Sequence, residues 1–176
     1  QAGKAAIEAA RALKPGGAII IVARHTDPDP IGGKGYKESL HLLHRHGKDE
    51  FMKMISAPDW QMIQEQWQVQ MWCKVLDVMG NEKNLVYCSL EIPQEDYETL
   101  PGVPGISLLT EPELTHPDPR EVMKTMIRRS IEYVYQKTGN AQAEMLYRKN
   151  LPIDYPCSIH DFSLSPAYAV FYLSPY

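Results

Sequence analysis

Residues 5–23 read AAIEAARALKPGGAIIIVA, and the fold follows from how this stretch divides. Ala5 to Leu13 consists mostly of good helix formers, with Ile7, Ala10 and Leu13 spaced to share one helix face. Pro15 and the pair Gly16-Gly17 end that helix, because neither residue type continues it cheaply. Ala18 to Ala23, AIIIVA, is a short apolar run rich in β-branched residues. Such a run suits a strand buried on both faces, as in a parallel sheet. Helix, glycine turn and buried strand make half of a βαβ unit whose first strand is missing. In open α/β sheets, ligands sit beyond the carboxyl ends of the strands. The loop from Ala23 to Tyr36, ARHTDPDPIGGKGY, is therefore the first place to seek a site.

The remaining elements follow from breakers and periodicity. The loop Asp27 to Tyr36 carries DPDP and GGKG; its prolines set a path and its glycines allow close backbone approach. It lacks the spacing of a P-loop. Lys37 to Ser56 reads as one or two helices broken near Gly47. His41, His44 and His46 lie there, and His41 and His44 can share a face. With no cysteine or second carboxylate pattern to complete a site, they read as solvated or partly packed histidines, and no metal ligand is assigned. Pro58-Asp59 opens a predicted helix from Trp60 to Met79, with Asp59 as N-cap and an apolar stripe of Trp60, Ile63, Trp67, Met71, Val75 and Val78. Gly80-Asn81 ends it. Leu85 to Ile92 is a second strand and Ile106 to Thr110 a short third one. Asp118 caps a helix from Arg120 to Lys137, with Pro119 at its first position and Met123, Met126, Ile127, Ser130 and Val134 on one face. Residues 141–149 suggest a short helix, residues 150–166 are irregular, and Tyr168 to Leu173 is a final strand. The expected fold is α/β, a three-layer sandwich around a mostly parallel sheet of four or five strands.

The chain of 176 residues is long enough for one α/β domain with its own core. A net charge of -4 argues against a nucleic-acid footprint, which needs a basic surface. No apolar run approaches the roughly 18 residues that span a bilayer, so no membrane partner is expected. Cys73, Cys88 and Cys157 are odd in number and lack CxxC spacing, which suits reduced thiols in a cytoplasmic protein. The sequence begins inside a helix without an initiator Met. It reads as a single domain, residues 1–176, forming the C-terminal part of a longer two-domain protein.

LKPGG followed by an apolar strand occurs in S-adenosylmethionine-dependent methyltransferases and in nickel-pincer-dependent lactate racemases. Gln1-x-x-Lys4 resembles the Tyr-Gln-x-x-Lys segment that opens the C-terminal domain of the racemases, with the chain beginning at the Gln. Gln66-Trp67-Gln68-Val69-Gln70 resembles that family's Asp-Gln-Trp-Gln-x-Gln element at a similar spacing, with Glu65 in the place of the Asp. The likeness is good over residues 1–90 and loose beyond. It implies a 2-hydroxy acid racemase or epimerase that removes a hydride from the hydroxyl-bearing carbon and returns it to either face. The nickel-pincer nucleotide and the catalytic residues would belong to the protein's own N-terminal domain, leaving no catalytic residue, cofactor or activity in this fragment alone. Gln1, Lys4 and Trp67 would line the substrate side of an interdomain cleft. Lys4 would offer an ammonium to the substrate carboxylate, Gln1 amide groups, and Trp67 a cap over the pocket. Without the resemblance, Gln1 and Lys4 read as an exposed helical turn and Trp67 as core. The alternatives are the C-terminal half of a methyltransferase and a non-catalytic interaction domain. The racemase reading requires Gln1, Lys4 and Trp67 to share one edge of the fold, with the loop Asp27 to Tyr36 at its rim.

Overall fold

The computed structural model describes residues 2–13, 16–138, 162–164 and 168–173. Helix α1, Ala2–Ala12, leads through a turn with Gly16 at φ 78° into strand β1, Ala18–Ala23, all six residues of which are buried. Strand β2, Leu85–Cys88, lies parallel to β1 with Ile19 opposite Leu85, and the two-residue strand β3, Val103–Pro104, lies parallel to β2. Strand β5, Tyr168–Leu173, pairs in parallel with the other side of β1, and β4, Phe162–Leu164, runs antiparallel to β5. The sheet order is β3-β2-β1-β5-β4, a mixed fold of helices and sheet with parallel strands at its centre.

Alternation along β1 divides the core. Ile19, Ile21 and Ala23 face one cluster with Leu85, Tyr87, α1, helix α2 (Lys34–Ile55) and helix α3 (Gln66–Met79). Ala18, Ile20 and Val22 face the other, with Val86, Cys88 and the long C-terminal helix. Period-two side chains on a strand buried on both faces produce this division. On the first face α1 presents Ala2, Ala6, Ala9 and Ala10, so its backbone sits close to the sheet and to α3. Two short helices, α4 at Gln94–Tyr97 and α5 at Glu111–Leu114, precede α6 at Pro119–Thr138. Helix α6 starts as its sequence indicates: the Asp118 carboxylate accepts the Arg120 N–H at 2.9 Å. Its Val122, Met126, Ser130 and Val134 are buried, and Ser130 Oγ lies 3.2 Å from Cys88 Sγ. Burial pushes the thiols of Cys73, on the first face, and Cys88, on the second, up to about 11.

Expectations for several elements are corrected. Helix α3 begins at Gln66 rather than Trp60. The Gln66 amide oxygen accepts both the Trp60 indole N–H and the Ile63 backbone N–H, each at 2.9 Å. Those groups are satisfied in a loop instead of a helical turn, and Asp59 caps no helix; Glu65, at φ 64°, stands before the first turn. The buried face of α3 is Val69, Trp72, Cys73, Val75, Leu76 and Met79, whereas Trp67 and Val78 are exposed. The second strand stops at Cys88, where Ser89 and Glu91 turn the chain. Residues 105–108 form a 3₁₀ turn, with the Ser107 hydroxyl donating to the Pro104 carbonyl, so the strand expected at Ile106–Thr110 is displaced to Val103–Pro104. The expected break at Gly47 is present: its φ of 75° and ψ of 166° interrupt α2. Residues 141–149 lie outside the described residues, and within the stretch 150–166 expected to be irregular, Phe162–Leu164 form strand β4, paired with β5. Among the described residues no helix is long and apolar enough to cross a membrane.

Candidate functional site at the carboxyl edge of the sheet

Helix α1 runs back along the strand that follows it, so its first turn lies at the carboxyl end of β1. Helix α2 begins at that same edge, after the loop that leaves β1. The middle of α3 joins them: the site where a Gly3 side chain would begin lies 3.4 Å from the Trp72 ring, and the Trp72 indole N–H donates to Tyr36 Oη at 2.8 Å. Burial pushes Tyr36 up to about 12. This buried joint ties the first turns of α1 and α2 to the middle of α3.

One turn before Trp72, Lys4 Nζ stands 5.6 Å from the centroid of the Trp67 ring, within cation–π range. Trp67 is 50% exposed and Lys4 is exposed. Two of the three residues expected to share an edge are therefore in contact, although 62 residues separate them in the sequence. Gln1 lies outside the described residues. The neighbouring Met62 is 82% exposed, which adds apolar surface to the loop before α3.

The loop after β1 forms the adjoining rim. A side chain at Gly35 would collide with the Gln64 carbonyl oxygen, and Gly33 faces the Glu65 carboxylate. Only glycine admits so close a backbone approach at position 35, so the GGKG stretch seats the loop against the segment leading to Trp67. Lys37 ties this region to α4, donating to Asp96 Oδ2 at 3.0 Å, and stands 3.7 Å from Asp29 in the loop. His41, His44 and His46 are exposed on α2, away from this construction. Among the described residues no three His, Cys, Asp or Glu side chains are grouped so as to hold a metal.

A second polar group, which the sequence reading passed over, lies between the ends of β1 and β2. His25 Nδ1 bonds the Pro30 carbonyl, and His25 Nε2 lies 2.9 Å from Tyr87 Oη. The Glu91 carboxylate accepts from Ser89 Oγ at 3.0 Å, from Leu90 N at 3.2 Å and from His25 N at 3.5 Å, with the Arg24 guanidinium 3.5 Å away. Burial lowers the His25 pKa against the opposing pull of the Pro30 carbonyl, Glu91 and Asp27. The signal for His25 was its position, two residues past the last residue of a fully buried strand.

No family model, curated protein or solved structure matches this chain.

Proposed function

We propose that this chain is the substrate-holding domain of a 2-hydroxy acid racemase or epimerase of the nickel-pincer type, acting on a lactate-like carboxylate in a cleft shared with its own N-terminal domain. Its fold is read as a three-layer sandwich, with the strands of one sheet between α1–α3 and α6, and its setting as cytoplasmic. The observation that supports the reading is the contact of Lys4 with Trp67. The two motifs that resemble the racemase family each contribute one residue, and those residues meet at the edge where α/β folds bind ligands.

The chemistry assigned to this chain is recognition. The Lys4 ammonium, held over an aromatic face, donates charge-assisted hydrogen bonds to a carboxylate. Trp67 leaves half its surface open to a ligand and excludes water from one side of it. Nickel is not assigned to the described residues, among which no grouped donor set is found. The nickel-pincer nucleotide, when bound by the partner domain, would supply reversible acceptance of the hydride. Gln1 would add amide donors and acceptors beside Lys4.

The test is interconversion of D- and L-lactate by the intact, cofactor-loaded protein, followed by chiral chromatography. Lys4→Ala is expected to lower kcat/KM by about tenfold to a hundredfold, the loss of one charge-assisted contact. The 176-residue chain alone is expected to turn over nothing. No interconversion by the loaded protein, or a change under about twofold in Lys4→Ala, rejects the reading.

A further inference from the structure

The loop 24–33 reaches the side chains of the sheet through the His25 imidazole, beside the contacts of Arg24 and the His25 N–H with Glu91, of Asp29 with Lys37, and of Ile31 with the core. A carbonyl oxygen only accepts, so the contact with Pro30 requires a proton on His25 Nδ1. The neutral ring then presents a lone pair at Nε2, and the Tyr87 hydroxyl, 2.9 Å away, donates to it. Tyr87 is 2% exposed, and among the described residues its hydroxyl has no other hydrogen-bond partner. Both ring nitrogens and the buried hydroxyl are satisfied together in a single tautomer.

We propose that His25 is a proton-operated latch: the neutral ring holds the loop 24–33 against the end of β2, and a second proton on the ring releases it. A proton on Nε2 faces the Tyr87 oxygen and forces the hydroxyl hydrogen away from its acceptor, with no replacement acceptor among the described residues. The cost of an unmade buried hydrogen bond then falls on the closed state. The charged groups around the ring do not remove this cost. Glu91, beyond β2, already accepts from Ser89, Leu90 and the His25 backbone and is approached by Arg24. Asp27 lies on the loop itself, and Lys37 is engaged by Asp96 and Asp29. From α2 and α4, Tyr36 and Tyr97 bond Trp72 and the Tyr87 carbonyl, respectively.

The sign follows from burial, which lowers the closed-state pKa below the ordinary 6.5. The open loop therefore binds the proton more tightly than the closed one. Closure is fully favoured above about pH 6.5 and weakens as the pH falls below it, until the closed-state pKa is passed. The latch reaches the Trp67 edge through the seat of Gly33 and Gly35 on Glu65 and Gln64. It does not depend on which ligand that edge binds.

Two measurements on the chain test it. Nuclear magnetic resonance of the histidine rings should show the Nδ1–H tautomer for His25 near neutral pH and a titration midpoint below 6.5. Amide exchange over residues 24–33, corrected for its intrinsic pH dependence, should speed up by as much as about tenfold on going one unit below pH 6.5. In His25→Gln that pH dependence should vanish. Tyr87→Phe, which removes only the hydroxyl, should raise the His25 midpoint, and it keeps the test decisive if His25→Gln fails to fold. An unchanged midpoint in Tyr87→Phe, or the same pH-dependent exchange in His25→Gln, overturns the latch.

Discussion

Trp67 and Trp72 stand five residues apart on one helix and have opposite surroundings. Trp72 is 1% exposed, packed on Gly3 and bonded to Tyr36. Trp67 is 50% exposed, with a lysine over its ring. A five-residue step turns an α-helix by well over a full turn, to about 140° away from the starting face. The pair therefore divides the duties of one residue type: Trp72 ties the first turns of α1 and α2 to α3, and Trp67 is displayed at the edge they create. An aromatic residue on a helix carries no mark of which duty it has; the neighbouring element decides.

Substitutions can break this contrast in a definite order. Trp72→Ala should cost about 3–5 kcal/mol in urea unfolding, since the cavity lies in a packed core. A loss under about 1.5 kcal/mol would remove the distinction from Trp67. Tyr36→Phe should cost about 1–3 kcal/mol by leaving the Trp72 indole N–H buried without an acceptor. Restoration of most of that stability in the double variant Tyr36→Phe, Trp72→Phe would sharpen the assignment to this one bond. Trp67→Ala should cost about 0.5–1 kcal/mol at most, the value of an exposed cation–π contact. Under the proposed function it should nevertheless lower kcat/KM of the intact enzyme more than its stability change suggests. A large stability loss with unaltered catalysis would make Trp67 a second Trp72. Smallest of all, His44→Ala should leave both stability and zinc affinity unchanged. Tight one-to-one zinc binding that the substitution abolishes would put a metal site on α2.

Much of this architecture is legible in local chemistry. AIIIVA is apolar without alternation and is buried throughout; Asp118-Pro119 marks the start of α6 and Gly47 the break in α2. The first turn of α3 is obscured because Gln66 satisfies Trp60 and Ile63 through its side chain, and a periodicity count does not register an amide oxygen. The phase of α3 is ambiguous for a different reason. Trp67, Met71, Val75 and Val78 match a helical repeat about as well as Val69, Trp72, Leu76 and Met79 do, so the helix is apolar on most of its circumference. Packing on α1 and α2 buries the second set together with Val75 and leaves Trp67 and Val78 exposed. The meeting of Lys4 with Trp67 is tertiary, since the alanine face of α1 brings that helix onto α3. Spacing along the chain does not reveal it. His25 belongs to no motif, and its one mark is its place two residues past the end of a buried strand.

Cys73 and Cys88 give the two coverings of the sheet separate clocks. Cys73, on α3, is buried in the cluster that α1 and α2 share, and Cys88, on β2, in the cluster beneath α6, and neither ionises near neutral pH while buried. A thiolate-seeking reagent can react with each only after its own layer lifts. With Cys157 replaced by serine, two labelling rates can be followed peptide by peptide. Equal rates would mean that the helices leave the sheet in one event, and unequal rates would identify the layer that peels first.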